Sequence, residues 1–141
     1  MIKPLIKTYS KLNEDSRYIR TTVFVLEQGF EEEFDTIDDN AIHFVMYLDN
    51  KPIATARIYV DNSIIHLGRF AVLKEYRALG YGKLLINHIE EYVVKKFNNS
   101  CIELSAQKRA IGFYSKCGYV TQGEYYLDEG YPHIKMIKFL R

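Results

Sequence analysis

Two glycines one residue apart stand between an apolar run and a long amphipathic pattern. The stretch reads EYRALGYGKLLI, from Glu75 to Ile86, and Arg77 lies three residues before Gly80. The first turn of a helix has backbone N–H groups without intrahelical partners, and the helix dipole adds positive potential there. Glycine lets an anion approach this backbone closely because it has no Cβ. The spacing Arg-x-x-Gly-x-Gly therefore predicts a phosphate-binding turn between Arg77 and Gly82.

Two familiar phosphate-binding motifs do not fit this turn. A Walker loop requires a glycine five residues before Gly82, where the chain has Arg77, and a Ser or Thr in place of Leu84. A dinucleotide-binding fingerprint requires a third glycine at the position of Leu85. The turn is therefore of a different kind.

The elements around the turn follow from hydrophobic periodicity and turn residues. Apolar residues at helical spacing after Gly82 predict a helix, and the three strands before the turn predict an antiparallel meander. The pattern as a whole predicts a mixed α/β fold around a twisted, mostly antiparallel sheet. In chain order the predicted elements are a strand over Ile2–Thr8, a helix over Asn13–Gln28 capped by Asn13 and stopped by Gly29, strands over Ile42–Leu48, Ile53–Val60 and Ser63–Leu73, a helix over Gly82–Phe97, a strand over Cys101–Ala106, a helix over Lys108–Lys116 ended by Gly118, and strands over Tyr119–Leu127 and His133–Leu140.

Composition excludes several classes of protein. The 141 residues suit one domain over 1–141, and a net charge of +1 is too small for the basic surface of a nucleic-acid binder. No apolar run approaches the roughly 20 residues that cross a membrane, and the first residues lack a signal-peptide pattern. We therefore expect a cytoplasmic protein without nucleic-acid or membrane partners.

Cysteine and histidine usage bears on metals and nucleophiles. Cys101 and Cys117 have no metal-ligand spacing, and the four histidines show no HxxxH pattern, so no metal site is expected. Cys117 lies near the second motif described below and has two interpretations, a nucleophile or a buried reduced thiol. The second is favoured, because free cysteines are most often buried.

Two segments in the right order resemble the GCN5-related N-acetyltransferase (GNAT) superfamily. FAVLKEYRALGYGKLLI carries the acetyl-CoA turn after its strand, and AQKRAIGFYSKCGYV resembles the downstream Asn-x-x-Ala-x-x-Phe-Tyr-x-Lys-x-Gly-Phe segment, with Gln107 where Asn is commoner. RTTVFVLEQGFEEEFDTIDDNAIHFV and LDEGYPHIKM are similar to the ElaA-like or YjcF-like subgroup. The resemblance implies the GNAT fold, with a β-bulge and splay at the central strand to which Gly68 could contribute.

The resemblance also implies a reaction: direct transfer of an acetyl group from acetyl-CoA to a primary amine of a small molecule or peptide. In relatives the strand before the turn offers backbone groups to pantetheine, and an amide at or near Val72 is the candidate oxyanion donor. Relatives often form homodimers. The residues implied at acetyl-CoA are Phe70, Ala71, Val72, Arg77, Ala78, Leu79, Gly80, Tyr81, Gly82, Lys83, Leu84, Gln107 and Tyr114.

Two residues are implied in catalysis. Tyr114 would protonate the departing thiolate or donate a hydrogen bond to its sulfur, the alternative being a core aromatic residue. His66 stands where some relatives carry a catalytic Glu, and an imidazole is a suitable base. A structural role for His66, Glu103 as the base, and a proton relayed by water are the alternatives.

Four residues in the subgroup segments are candidates for the acceptor cleft: Glu27, Gln28, His43 and His133. For His133 the alternative is a hydrogen bond that locks a turn. The acidic run around Asp35 and Asp38 could attract a cationic amine, although a solvated loop is the more common explanation of such a run. A different class of function, a non-catalytic regulatory module that binds acyl-CoA, also fits the same turn.

Overall fold

The computed structural model of the chain describes residues 2–31, 34–98 and 101–140. Seven strands form one sheet in the order β1-β2-β3-β4-β5-β7-β6. Within the described ranges the parallel pair is β4–β5, and the other neighbouring strands run antiparallel. The strands are β1 Leu5–Tyr9, β2 Ile42–Leu48, β3 Lys51–Asp61, β4 Ile64–Val72, β5 Cys101–Gln107, β6 Val120–Asp128 and β7 Tyr131–Phe139. The predicted mixed α/β fold and the β2–β3–β4 meander are confirmed.

Helices occupy three places between the strands. They are α1 Glu14–Arg20, continued by a π-helical segment Thr21–Glu27, then α2 Tyr81–Lys96 and α3 Ile111–Lys116, with single 3₁₀ turns at Thr36–Asp39, Lys74–Tyr76 and Lys108–Ala110. Asn13 caps α1 as predicted, because its Oδ1 accepts a hydrogen bond of 2.8 Å from the Ser16 amide. None of the helices in the described ranges is long and apolar enough to cross a membrane.

The first predicted helix is not α-helical throughout. The amide of Gln28 donates to the Val23 carbonyl at 3.0 Å, a bond across five residues that widens the last turns into a π-helix. A periodicity of 3.6 residues does not reveal this change. The wider turn matters for the site, because it ends at Glu27 and Gln28.

Helices cover both faces of the central strands of the sheet, whereas every residue of the edge strand β6 is exposed. Side chains from α2, α3 and five strands form the larger core, and α1 packs on the other face in a smaller core that includes Ile19, Val23 and Val45. The helix α2 buries one stripe, Leu85, Ile86, Ile89 and Val93, as its pattern predicts. The two layers leave the carboxyl ends of β4 and β5 open between them.

The strands β4 and β5 pair over only three positions, from Ile65–Ile102 to Leu67–Leu104, and then separate. Just beyond this point, two residues of β4, Arg69 and Phe70, face a single residue of β3. This is the bulge and splay expected at the central strand. The left-handed backbone lies at Arg69 (φ 49°) and not at Gly68, for which the sequence left two roles open, in the bulge or in packing.

Candidate functional site

The turn between β4 and α2 presents unpaired amides, because the N–H groups of residues 78 to 83 have no acceptor among the residues that the structure describes. The first bond of α2 runs from the Leu84 amide to the Gly80 carbonyl at 3.2 Å. Ala78, Leu79 and Gly80 are exposed, as are the side chains of Lys83 and Leu84, and Tyr81 is half-buried. The arrangement can bind an anion through main-chain dipoles.

The two glycines of the turn serve different purposes. Gly80 is left-handed (φ 89°), and a Cβ there would meet no atom within 4 Å, so the space above it is open. A Cβ on Gly82 would lie 3.0 Å from Cζ of Phe113. The second glycine therefore makes room for the Phe113 ring, and its role at a ligand stays a prediction.

We expect Gly82→Ala to destabilise the protein by about 1–3 kcal/mol, because the added methyl group must displace the Phe113 ring. Thermal unfolding measures the change. Gly112→Ala is the matched control: Gly112 lies in α3, and a Cβ there would meet nothing within 4 Å. We expect this control to be neutral or stabilising by up to about 1 kcal/mol. Equal melting temperatures for Gly82→Ala and the wild type would contradict the packing role.

The side chain of Arg77 does not extend freely toward the turn. Its Nη1 and Nη2 donate to the two carboxylate oxygens of Glu27 at 2.6 and 2.7 Å, and its Nε donates to the Val72 carbonyl at 2.8 Å. The hydrogen bonds from Arg77 lower the pKa of the Glu27 carboxyl, and the same pairing raises the pKa of Arg77. The three groups form a clasp that ties the end of the π-helix to the end of β4.

The separation of β4 from β5 frees main-chain groups of β4. The Leu73 amide donates to the Ile53 carbonyl of β3 at 2.9 Å. Successive residues of a strand point their amides to opposite sides, so the Val72 amide faces the gap. The side chains nearby are packed: Ala71 is buried in the smaller core, and Phe70 contacts the rings of Phe113 and Tyr114 at 5.5 and 6.0 Å between centroids.

A cavity of about 700 Å³ opens beside the splay. Its floor is one face of the sheet, because residues opposite each other on neighbouring strands share a face. Segment 24–30 and the β6–β7 hairpin contribute further walls. The residues that line the cavity include Gln28, Arg57, Tyr59, His66, Phe70, Glu103, Gln107, Phe113, Tyr114, Tyr126 and His133.

Tyr114, from α3, lines this cavity although only 8% of it is exposed. Its hydroxyl has no hydrogen-bond partner among the described residues. Burial raises the pKa of the Tyr114 phenol, so the group stays protonated at neutral pH. The Tyr114 hydroxyl is therefore a hydrogen-bond donor at the cavity wall. Cys117 nearby is a free, buried thiol whose pKa is raised by burial, which matches the favoured interpretation from the sequence.

The floor carries two of the predicted histidines. His66 stacks on Tyr59 with ring centroids 4.9 Å apart, and neither of its ring nitrogens has a hydrogen-bond partner in the described ranges. Glu103 is the register partner of His66 on β5 and has Lys135 Nζ 4.0 Å away. His133, on β7, is the register partner of Gln107 on β5.

A chain of polar contacts closes one end of the cavity. Arg109 Nε donates to Gln107 Oε1 at 3.1 Å, and Gln107 Nε2 donates to Gln28 Oε1 at 2.9 Å. The Tyr131 hydroxyl donates to the Gln28 carbonyl at 3.0 Å. The end of the π-helix is thereby tied to β5 and to the β6–β7 hairpin.

Arginine–aspartate pairs hold the loop above the floor. Arg20 donates to both oxygens of Asp38 at 2.8 and 2.9 Å, and Arg57 donates to Asp38 and Asp35. Burial alone would raise the pKa of Asp38, but the hydrogen bonds from the two arginines outweigh it and lower the pKa to about 2. Arg69 also donates to Asp35, at 3.1 Å.

His43 lies beneath this loop. It is fully buried, its Nε2 donates to the Asp38 carbonyl at 3.0 Å, and burial lowers its pKa. The side chain does not line the cavity. Its place in the fold is support for the Asp38 loop, in contrast to the acceptor wall that the sequence suggested. Glu32 and Glu33 of the acidic run lie outside the described residues.

The sequence pattern of the acetyltransferase (GNAT) family matches residues 6–119. The chain belongs to the GNAT family. Among its relatives is the uncharacterized N-acetyltransferase YjcF of Bacillus subtilis, 34% identical over 140 residues, with 97% of this chain and 99% of YjcF covered. This match confirms the family and the YjcF-like subgroup predicted from the sequence.

Solved structures agree with this assignment to the GNAT family. A protein of Lactobacillus plantarum superposes with a TM-score of 0.90 at 29% identity, covering 98% of this chain and 99% of that one. ElaA of Escherichia coli superposes with a TM-score of 0.82 at 26% identity, again covering 98% and 99% of the two chains. The chain therefore has the GNAT fold over its length, with ElaA as a structural neighbour.

Within this GNAT fold, the structure brings most of the predicted residues to one region. Phe70, Gln107, Tyr114, His66, Gln28 and His133 line one cavity, and the turn from Arg77 to Leu84 meets it at Phe70 and Phe113. Glu27 and His43 lie outside the cavity lining. Among the described residues, no three His, Cys, Asp or Glu side chains are grouped as a metal site.

Sequence reasoning about this GNAT chain missed the arginine–aspartate pairs. A signal was available, since Arg57 stands in the middle of an apolar strand, IATARIYV, where a charged side chain is buried only if it is paired. Tyr59 was also missed, and its stacking on His66 has no local signature. The acidic run is therefore not simply solvated, because Asp38 is buried and ion-paired.

Proposed function

We propose that this protein is an N-acetyltransferase that transfers the acetyl group of acetyl-CoA directly to a primary amine. The observation that carries the proposal is the splay of β4 from β5, which joins a turn of unpaired amides to the cavity that Tyr114 lines. The GNAT family supports acyl transfer. The choice of acetyl-CoA and of an amine rests on the same arrangement and on the relatives' name of N-acetyltransferase.

The turn would hold the diphosphate of the donor. The amides of residues 78 to 83 supply donors, and the dipole of the 16-residue helix α2 adds positive potential at its N-terminus. Lys83 contributes a positive charge in the first turn of α2. The free edge of β4 from Phe70 to Val72 would accept the pantetheine arm as an added strand. The open space above Gly80, where a Cβ would meet no atom within 4 Å, leaves room for such a group.

Two groups would stabilise charge as the thioester is attacked. The Val72 amide faces the gap and is the candidate donor to the oxyanion. The Tyr114 hydroxyl would donate to the departing sulfur. A thiol has a pKa of about 8.5, well below the raised pKa of the Tyr114 phenol, so a hydrogen bond to the thiolate is favoured over complete proton transfer.

The acceptor would enter through the 700 Å³ cavity, which is large enough for a small molecule or for the amine end of a peptide. Gln28 lines this cavity. The base in this proposal is an imidazole of the floor, and His66 is the one that the sequence analysis predicts. The proposal retains the predicted cytoplasmic location and the possible homodimer.

Turnover tests the proposal. Purified protein is mixed with acetyl-CoA and a panel of amines (spermidine, tyramine and a lysine-containing peptide), and thiol release is followed while calorimetry measures CoA binding. We expect CoA to bind and at least one amine to be acetylated. Binding without turnover would point to the non-catalytic acyl-CoA-binding module instead, and absence of CoA binding would overturn both functions.

A charge swap tests how Arg77 contributes. We expect Arg77→Glu to weaken CoA binding at least tenfold, because it places two carboxylates together and removes the bond to the Val72 carbonyl. The double variant Glu27→Arg with Arg77→Glu restores the ion pair. Recovery of affinity in the double variant, measured by calorimetry, indicates that Arg77 acts through the clasp. An Arg77→Glu variant that binds CoA as the wild type does would exclude Arg77 from the site.

A further inference from the structure

The imidazole of His133 is held in one tautomer. Its Nδ1 lies 2.8 Å from the Tyr131 carbonyl oxygen. A carbonyl oxygen can only accept, so Nδ1 must carry the proton, and the neutral ring then has its lone pair on Nε2. This is the arrangement a general base requires: one nitrogen is fixed by its partner and the other is available.

The free nitrogen is reachable from the cavity. His133 is only 6% exposed, yet it lines the cavity, and no described residue bonds to its Nε2. The buried side-chain atoms without a partner among the described residues belong to Asn13, His43 and Arg57, so Nε2 of His133 is not shut off from the cavity space. A ligand in the cavity can contact it.

The strand register places His133 beside the splayed end of β5. It lies opposite Gln107, at the carboxyl end of β5. The last register pair between β4 and β5 is Leu67–Leu104, and beyond it Gln107 and Phe70 both line the cavity at the splayed ends of the two strands. His66 is the register partner of Glu103, four residues lower on β5, which corresponds to about 13 Å of strand.

His66 has different surroundings. Its ring lies nearly parallel to that of Tyr59, with an angle of 14° between the planes. Nothing described fixes the tautomer of His66, because neither of its ring nitrogens is hydrogen-bonded. The flat stack suits an aromatic floor for the acceptor better than a positioned base.

We propose that Nε2 of His133 is the general base of the transfer, an inference that rests on the proposed function. The amine nitrogen forms its bond to the thioester carbon while the carbon–sulfur bond breaks. Nε2 takes the proton that the amine loses, and the other proton stays on Nδ1, hydrogen-bonded to the Tyr131 carbonyl. The thiolate leaves hydrogen-bonded to Tyr114 and is then protonated by solvent.

The proposal predicts a rate that falls toward acid pH, because a protonated Nε2 cannot accept. Other groups facing the ring also titrate and must be separated from it. Tyr126 of β6 stacks on the ring with centroids 6.2 Å apart. Other charged or titratable groups around the same cavity are Asp35, Arg57, Tyr59, His66, Arg69, Glu103, Arg109, Tyr114, Asp128, Glu129, Tyr131 and Lys135.

His133→Asn is the decisive variant. The Asn amide can still donate to the Tyr131 carbonyl where Nδ1 stood, so the turn is kept and the base is removed. With acetyl-CoA and the amine that the wild type acetylates, we expect kcat/KM to fall about 100- to 1,000-fold and its acidic limb to disappear. CoA affinity should be unchanged. His66→Asn should lose less than tenfold and keep the acidic limb, and His88→Asn, on α2, controls for loss of an imidazole elsewhere.

Two outcomes would overturn the proposal without touching the acetyltransferase itself. One is that the wild type acetylates the amine and the His133→Asn variant does so with an equal kcat/KM. The other is nitrogen NMR of labelled protein that places the neutral ring's proton on Nε2 of His133, a measurement that needs no turnover. A wild type that binds CoA and acetylates none of the amines instead contradicts the proposed function, from which this inference follows.

Discussion

Replacing Tyr114 by Phe is expected to lower kcat about 100-fold and to leave the KM for acetyl-CoA nearly unchanged. The hydroxyl has no protein partner among the described residues and lines the cavity, so it is free to donate to the sulfur as negative charge develops there. A hydrogen bond that strengthens only in the transition state raises kcat rather than affinity. A 100-fold loss corresponds to about 2.7 kcal/mol of transition-state stabilisation.

Tyr119→Phe is the matched control for this loss. The ring of Tyr119 contacts the ring of Tyr114, with centroids 6.1 Å apart, and Tyr119 is also buried. Its hydroxyl, however, donates a hydrogen bond to Glu90 at 3.0 Å, away from the cavity. We expect Tyr119→Phe to lower stability by about 1 kcal/mol and to keep kcat. Steady-state kinetics with acetyl-CoA and the best amine measure both variants. A kcat for Tyr114→Phe within threefold of the wild type would remove Tyr114 from the chemistry.

Replacing Asp38 by Asn is expected to destabilise the fold by about 3–5 kcal/mol. The carboxylate is 3% exposed and accepts hydrogen bonds from Arg20 and Arg57, of which Arg20 is 1% exposed and Arg57 3%. A neutral amide leaves two buried guanidinium groups without their full counter-charge. Removal of one partner costs far more than the pair contributes, because the remaining charge stays buried.

The pH dependence of stability has a definite sign. The pKa of Asp38 is lowered from 3.8 to about 2 in the folded protein, so the folded state favours the ionised form by about 2 kcal/mol. That contribution is fully present above the unfolded pKa, near pH 4, and is lost as the pH falls toward 2. The wild type should therefore lose stability over this window, and Asp38→Asn should lose less of it.

Thermal unfolding at neutral pH and at pH 3 measures both effects. Asp39→Asn, at the exposed neighbouring position, is the control and should stay within about 0.5 kcal/mol of the wild type. We expect Asp38→Asn to melt about 10 °C lower than the wild type at neutral pH. A difference of less than 2 °C would show that the buried ion pairs do not hold this loop.

The turn of free amides could be predicted in detail because its signals are local. Strand, turn and helix follow one another in the stretch that contains Gly80, and local spacing determines which amides lack partners. Gly82 shows the limit of that reasoning. The motif assigns it to the ligand but does not show its contact with Phe113, 31 residues away.

The acceptor side was predicted less well because its contacts join distant segments. Glu27 and His43 were expected at the acceptor, yet Glu27 pairs with Arg77 and His43 supports Asp38. Which carboxylate an arginine meets depends on how helices and strands pack. The spacing of residues along the chain does not show which carboxylate that is.

By itself the sequence determined the order of strands and helices and the turn of free amides, because these follow from backbone preferences and from side-chain spacing within a few residues. The family, and with it Tyr114 as the predicted catalytic residue, came from the resemblance of two motifs. The tertiary structure decided the rest: the clasp between Glu27 and Arg77, the burial of Asp38 between two arginines, and the place of His133 in the cavity lining. These depend on burial and on the direction of hydrogen bonds between segments, which only the packed chain brings together.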